Sequence, residues 1–235
     1  MEEPKVLIVD SHYNGPPDSG NGGYTCGLVD TQTDYLSEVT LRKPIPLDRP
    51  LHISASDSGH EIKRHEEIIA TARPGDLTDL NIPDPVSFKL AEEASQQFIG
   101  NSQKTAFPTC FVCGEDRASG EGLHIFAGRV AGTDLYAAPW VPAENLVDES
   151  NLVRQEFIWA ALDCPGAYAS LGDTAKPILL GRMTAQILKT LKPNTQCVVM
   201  AWLINRDGRK SWSGTALFDH TGELVGKAKA IWFEV

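Results

Sequence analysis

The chain has 235 residues, of which 42% are hydrophobic, and a formal net charge of −10, so it can bury the core of one large or two small globular domains. The acidic balance and the scattered lysines and arginines argue against nucleic-acid binding. Because no apolar run reaches the roughly 20 residues that span a bilayer, and the N-terminal MEEPKVLIVD is acidic where a signal peptide is basic, we expect a cytoplasmic protein that does not associate with membranes.

The N-terminal half predicts a strand, a loop, a helix and a series of strands. Residues 5–9 (KVLIV) are typical of a strand, and residues 12–22 are rich in the Gly, Pro, Asn and Asp of loops. A short helix is predicted from Gly23 to about Tyr35. The strand-like runs SEVTLRKP, PLHISASD and EIKRHEEIIATARPG follow it.

The C-terminal half repeats this order after a connecting helix, which the spacing of apolar residues predicts within 84–100. GLHIFAGRV and DLYAAPWVP are predicted strands, LVRQEFIWAALD is a predicted helix, and three strand regions complete the chain. Gly208 and Gly222 lie between alternating apolar runs and predict hairpins. The expected class is α+β, with an antiparallel sheet wrapped around one central helix, twice over.

Three segments carry a resemblance to a known family. CFVCGEDRASGEGLHIF (110–126) resembles the opening of small hotdog-fold thioesterases, and the last strands with their turns are similar to the later strands of that family. NGGYTCGLVD resembles the family's His-Gly-Gly helix start, in which a catalytic acid follows seven residues after the second glycine. The resemblance implies a double hotdog like acyl-CoA thioesterase II: two fused repeats, 1–83 and 107–235, each with a long central helix wrapped by an antiparallel sheet, joined by a helix and linker at 84–106.

The glycine-rich helix start suits thioester chemistry. Free N–H groups at a helix N-terminus can stabilise negative charge on a carbonyl oxygen, and glycine permits close approach. At 1.5 Å per residue, however, Asp30 lies about 10 Å along the axis from Gly23, too far to serve the same site. In the resembled family the acid comes from an antiparallel partner helix, which implies Asp163 here.

The predicted site therefore pairs the amide of Gly23, as oxyanion donor, with Asp163, as base or nucleophile. Its predicted substrate-binding residues are Asn21, Gly22, Tyr24 and Trp159. A second site would pair Asp30 with the helix start RQE (154–156), which has no glycine and places Glu156 where the oxyanion would form. A carboxylate there opposes the developing charge, so we expect the second site to be degenerate.

Three departures from the family keep other functions open. Asn21 replaces the family's histidine, Pro165 should kink or end the helix beside Asp163, and KAKAIWF in the last strand lacks the family's glutamine. The leading hypothesis is hydrolysis of acyl-CoA or acyl carrier thioesters, and the alternative is a non-catalytic acyl-thioester-binding protein. A third hypothesis is a hotdog-type dehydratase or hydratase, which would use an Asp-His pair; the absence of a histidine near either helix in the sequence argues against it. The resemblance also implies a homodimer.

The glycine-rich segment and the cysteines could also indicate a nucleotide site or a metal site. SGNGGYTCGLVD lacks the spacing of a phosphate-binding or dinucleotide-binding loop. Five cysteines without a secretory signal favour reduced thiols. Cys110 and Cys113 form one Cys-x-x-Cys; Cys164, Cys197 and His124 could converge on it, but no second pair has metal-ligand spacing. The sequence thus predicts a structural turn, no metal, and no cofactor other than a CoA thioester as substrate.

Overall fold

The computed structural model describes residues 5–172 and 176–235, so the first four residues of the predicted N-terminal repeat lie outside it. None of the described helices combines the length and apolarity that crossing a membrane requires. The α-helices are α1 (Gly22–Asp30), α2 (Phe88–Ser95), α3 (Gln155–Ala161) and α4 (Cys164–Leu171). The strands are β1 (Lys5–Ile8), β2 (Ser37–Leu41), β3 (Pro50–Ser56), β4 (Gly59–Arg64), β5 (Glu67–Pro74), β6 (Gly128–Arg129), β7 (Tyr136–Trp140), β8 (Ile178–Ile187), β9 (Cys197–Asp207), β10 (Lys210–Asp219) and β11 (Leu224–Glu234).

These strands form one antiparallel sheet in the order β1-β3-β4-β5-β2-β8-β11-β10-β9-β7-β6. Read from its outer strand inward, the N-terminal half has the order β1-β3-β4-β5-β2. The C-terminal half, read inward from β7, has the matching order β7-β9-β10-β11-β8. The halves meet where β2 pairs with β8, in a register that sets Val39 opposite Met183. The antiparallel sheet with few helices confirms the predicted α+β class and fits a hotdog fold, whereas the domain boundaries stay a prediction.

The central helices are shorter than predicted. The helix α1 begins where the Asn21 side chain accepts a hydrogen bond from the Tyr24 amide (2.8 Å), and it ends at Asp30 instead of near Tyr35. In the C-terminal half the helix is interrupted at Asp163, between α3 and α4. Pro165 falls in the first turn of α4, where its missing N–H has no helical partner to lose. A long central helix is therefore replaced there by two short ones.

The helices α1 and α3 are antiparallel neighbours. Gly23 lies against Trp159 and Asp163 at one end of the pair, Gly27 lies against the Cα of Glu156, and Asp30 contacts Gln155 at the other end. A Cβ on Gly27 would come within 2.6 Å of that Cα. The two glycines, one helical turn apart, allow the backbones to approach closely.

The predicted strand GLHIFAGRV is mostly not a strand, because only Gly128–Arg129 pairs with the sheet. The amides of Leu123 and Ile125 donate instead to the carbonyls of Phe111 and Val112 (2.8 and 2.9 Å). This part of the chain is thereby attached to the segment that carries Cys110 and Cys113, beside the beginning of α1.

Candidate active site

Asp163 lies at the N-terminus of α1, where its carboxylate is held by two donors. Its Oδ2 accepts hydrogen bonds from the Gly23 amide (2.9 Å) and from Nδ2 of Asn21 (3.0 Å). The residue is 3% exposed, and its Oδ1 has no hydrogen-bond partner among the described residues. Burial raises the pKa of Asp163 to about 7, although the Gly23 amide opposes that shift. The site thus contains a buried carboxyl with one oxygen anchored and one free.

The start of α1 explains this geometry. Asn21 caps the helix through its Oδ1, and its Nδ2 reaches Asp163. A Cβ at position 23 would overlap the Asp163 side chain and lie 2.9 Å from the Trp159 carbonyl oxygen, so only glycine fits. The amide assigned to the oxyanion therefore holds the carboxylate in this structure. The Gly22 amide, first in the helix, donates no hydrogen bond to any residue that the structure describes.

A largely apolar cavity adjoins this carboxylate. Asn21, Gly22 and Asp163 contribute to its wall, and side chains such as those of Phe107, Leu180 and Trp232 provide the apolar surface. An enclosed apolar site with a few convergent polar groups is typical of small-molecule binding. The cavity takes its lining from both halves of the chain.

Three buried cysteines share the same wall. The sulfur atoms of Cys110, Cys113 and Cys164 all lie within 4.8 Å of one another. Hydrogen bonds from Cys113 and Cys164 lower the pKa of Cys110 well below its usual range, whereas the pKa values of the other two are raised, chiefly by their hydrogen bonds with Cys110. Of the further ligands considered from sequence, Cys164 joins this cluster, but Cys197 and His124 do not belong to it.

Two predicted substrate-binding residues lie in the core instead of the cavity wall. Tyr24 stacks on Tyr13 with ring centroids 4.3 Å apart, and burial raises its pKa. Trp159 is fully buried beneath Gly27. Conversely, Tyr168 lines the cavity although it was not predicted from the sequence. Its position four residues after Cys164, on the same face of α4, was the available signal.

The second predicted site, at Asp30, is open to solvent, and its carboxylate has different hydrogen-bond donors. The Asp30 carboxylate accepts hydrogen bonds from the Ser37 amide and from Nε2 of Gln155 (both 3.2 Å), and burial raises its pKa. The side chain of Arg154 does not cap α3. Glu156 holds the second position of α3, which glycine holds in α1, and its buried carboxylate pairs with Arg154 (3.4 Å).

No family model matches the chain, and no curated protein matches it. Solved structures do. The PaaI protein of the Escherichia coli phenylacetic acid degradation operon is 10% identical with a TM-score of 0.46, covering 52% of this chain and 86% of its own. A Streptococcus mutans protein bound to acetyl CoA is 10% identical (TM-score 0.40; 44% and 82% covered). A hypothetical thioesterase of Streptococcus pneumoniae with coenzyme A is also 10% identical (TM-score 0.40; 43% and 81% covered). Each of these similarities extends over about half of this chain.

Proposed function

We propose that the protein binds acyl thioesters of coenzyme A or of an acyl carrier protein in the cavity and hydrolyses them. The observation that carries the proposal is the contact between Asp163, a residue that lines an apolar cavity, and the N-terminus of α1, with Oδ1 of the same carboxyl unpaired among the described residues. Thioester hydrolysis needs a donor for the carbonyl oxygen, a base or nucleophile beside the carbonyl carbon, and room for the acyl chain. The helix start, Asp163 and the adjoining cavity are our candidates for these three roles.

In this proposal the Gly22 amide receives the thioester carbonyl oxygen, while Gly23 and Asn21 hold the carboxylate in place. Asp163 then acts in one of two ways. As a base, its Oδ1 takes a proton from water as the water oxygen bonds to the carbonyl carbon, and the thiolate leaves with a proton. As a nucleophile, Oδ1 attacks the carbonyl carbon, the C–S bond breaks and the thiolate leaves and takes up a proton; water then hydrolyses the resulting anhydride, which releases the acid and restores the Asp163 carboxylate.

We also propose that residues 1–83 and 107–235 are two hotdog repeats, so that each end of the α1–α3 pair corresponds to one site of a double hotdog. The matching strand orders of the two halves and the antiparallel helices support this arrangement. Within it, the site at Asp163 is functional and the site at Asp30 is not. Homodimer formation stays a prediction.

A non-catalytic acyl-thioester-binding protein is the second candidate. This candidate is favoured because the Gly23 amide, the oxyanion donor expected from the sequence, already donates its hydrogen bond to Asp163. Binding without turnover would follow if the Gly22 amide alone stabilised the oxyanion too weakly, since such donors contribute a large part of the rate of acyl transfer.

Thiol release from acyl-CoA esters of increasing chain length, starting with acetyl-CoA, tests the proposal. We expect Asp163→Asn to lower kcat by a factor of about 10² to 10⁴, as removal of a general base or nucleophile does. The matched variant Asp30→Asn should retain activity close to wild type. The hydrolase proposal is wrong if wild type releases no thiol from any ester, and the binding alternative is then supported if CoA esters still bind by calorimetry. Loss of activity in Asp30→Asn alone would refute the assignment of the site.

A further inference from the structure

We propose that Cys110, Cys113 and Cys164 bind one zinc ion in the cavity wall, through three thiolates, with the fourth position directed into the cavity. Thioester hydrolysis as proposed above does not require this three-cysteine site. It stands on the positions of the three sulfur atoms and on the groups around them, and it holds whether or not the protein hydrolyses thioesters.

The separation of two of the sulfur atoms matches a tetrahedral ion, and the third lies close by. Two sulfurs that each lie about 2.3 Å from a tetrahedral zinc ion are about 3.8 Å apart. Sγ of Cys110 and Sγ of Cys164 are 3.7 Å apart, and all three sulfurs lie within 4.8 Å of one another. A disulfide would use only two of them at about 2.0 Å, so it leaves the convergence of the third sulfur unexplained.

The local backbone is built to present these sulfurs. The chain turns so tightly that the Gly114 amide donates to the Cys110 carbonyl (2.8 Å). A Cβ at Gly114 would come within 2.5 Å of that oxygen, which excludes other residues. Cys164 approaches from a distant part of the chain, the first turn of α4.

Further donors surround the cluster, as they do around metal-bound thiolates. The Tyr168 hydroxyl donates to Sγ of Cys113 (3.3 Å), and Nδ2 of Asn21 lies 3.8 Å from Sγ of Cys110. Three thiolates around a divalent cation carry one net negative charge, which these donors stabilise. Without a cation, two or three buried thiolates in contact would repel one another strongly. The three thiolates therefore match zinc, a borderline-soft ion that binds sulfur, and do not match magnesium or calcium, which prefer oxygen ligands.

The coordination shell leaves one position for a ligand. Among the described residues, no histidine and no carboxylate belongs to the group formed by the three sulfurs. All three cysteines line the cavity. Three protein ligands plus one exchangeable position is the pattern of zinc sites that bind water or a substrate atom, whereas structural sites are closed by four protein ligands.

Metal analysis of the full chain tests this inference without reference to hydrolysis. The protein is expressed without a metal-binding tag in zinc-containing medium, and zinc is measured by plasma mass spectrometry. We expect about one zinc ion per chain and, after denaturation with a chelator, five free thiols. Cys110→Ser, Cys113→Ser and Cys164→Ser should each lose most of the zinc. Cys197→Ser is the matched control, since Cys197 is also buried but lies outside the cluster, and it should retain the ion.

Cobalt substitution keeps the test decisive if a serine variant does not fold. Wild-type protein stripped of metal under reducing conditions and reloaded with Co²⁺ should show thiolate-to-cobalt charge-transfer absorption and the intense visible bands of tetrahedral cobalt. Absence of both zinc and these bands overturns the inference. So does a count of three free thiols in the protein as purified, which would indicate a disulfide between two of the cluster cysteines.

Discussion

Asp163 and Asp30 each lie beside the beginning of the neighbouring helix, at opposite ends of the antiparallel pair α1 and α3. Asp163 reaches a backbone amide because glycine occupies the second position of α1, and it is buried beside an apolar cavity. Asp30 contacts only the side chain of Gln155 on α3 and faces an open, polar recess. The two ends therefore differ in the residues at the helix starts more than in the aspartates: a glycine leaves a backbone amide to the carboxylate at one end, whereas a side chain contacts it at the other.

Gly23→Ala should have the largest effect on this difference. Its Cβ would overlap Asp163 and approach the Trp159 carbonyl oxygen, so the carboxylate must leave the amide. We expect unfolding in urea to show a loss of about 1–3 kcal/mol, as for other overpacked positions, together with loss of thioester hydrolysis. Gly27→Ala is the matched control, because its Cβ meets the backbone of Glu156 at the same helix interface. It should be destabilised similarly but remain active when folded; equal activity of the two variants would contradict the assignment.

Asn21→Ala should have an intermediate effect, because it removes both the cap of α1 and a hydrogen bond to a buried carboxylate. These losses together correspond to about 2 kcal/mol in the free energy of unfolding. Gln155→Ala, at the other end of the pair, loses one hydrogen bond near solvent and should cost less than about 1 kcal/mol. Asn21→Ser separates the two roles, since serine can cap the helix without reaching Asp163. If Gln155→Ala proved the more destabilising of the two alanine variants, the contrast between the ends would be wrong.

Asp30→Asn should have the smallest effect, visible as a change in how stability depends on pH. Burial raises the pKa of Asp30, so the folded protein holds this proton more tightly than the unfolded chain does. Between the ordinary carboxyl pKa of about 4 and the raised value, wild-type stability therefore falls as the pH rises. The asparagine variant does not titrate there, so its stability relative to wild type should increase across that window in chemical denaturation. A difference that does not change with pH would show that Asp30 is unperturbed.

The sequence predicted the parts of this molecule that depend on local patterns. Alternating apolar runs and turn glycines located most strands, and the offset between Gly23 and Asp30 required a second helix to supply the acid. Local patterns could not show that the helix is interrupted at Asp163, because a proline is compatible with either a kink or a new helix start. Nor could they show that Cys164 meets Cys110, or that Trp159 faces away from the cavity. Those contacts depend on how α3, α4 and the segment around Cys110 pack together.

The narrow junction between β2 and β8 has a consequence for the alignment of the two halves. Only three residue pairs join these strands, and Arg182 of β8 adds a hydrogen bond to Thr40 and an ion pair with Glu38 (2.9 and 3.3 Å). A slip of two residues would keep every side chain on its own face of the sheet but displace one half by about 7 Å along the strand. The register of the β2–β8 pair, which lies outside the proposed active site, therefore sets the distance between the Asp163 carboxyl on one half and the Gly23 amide on the other.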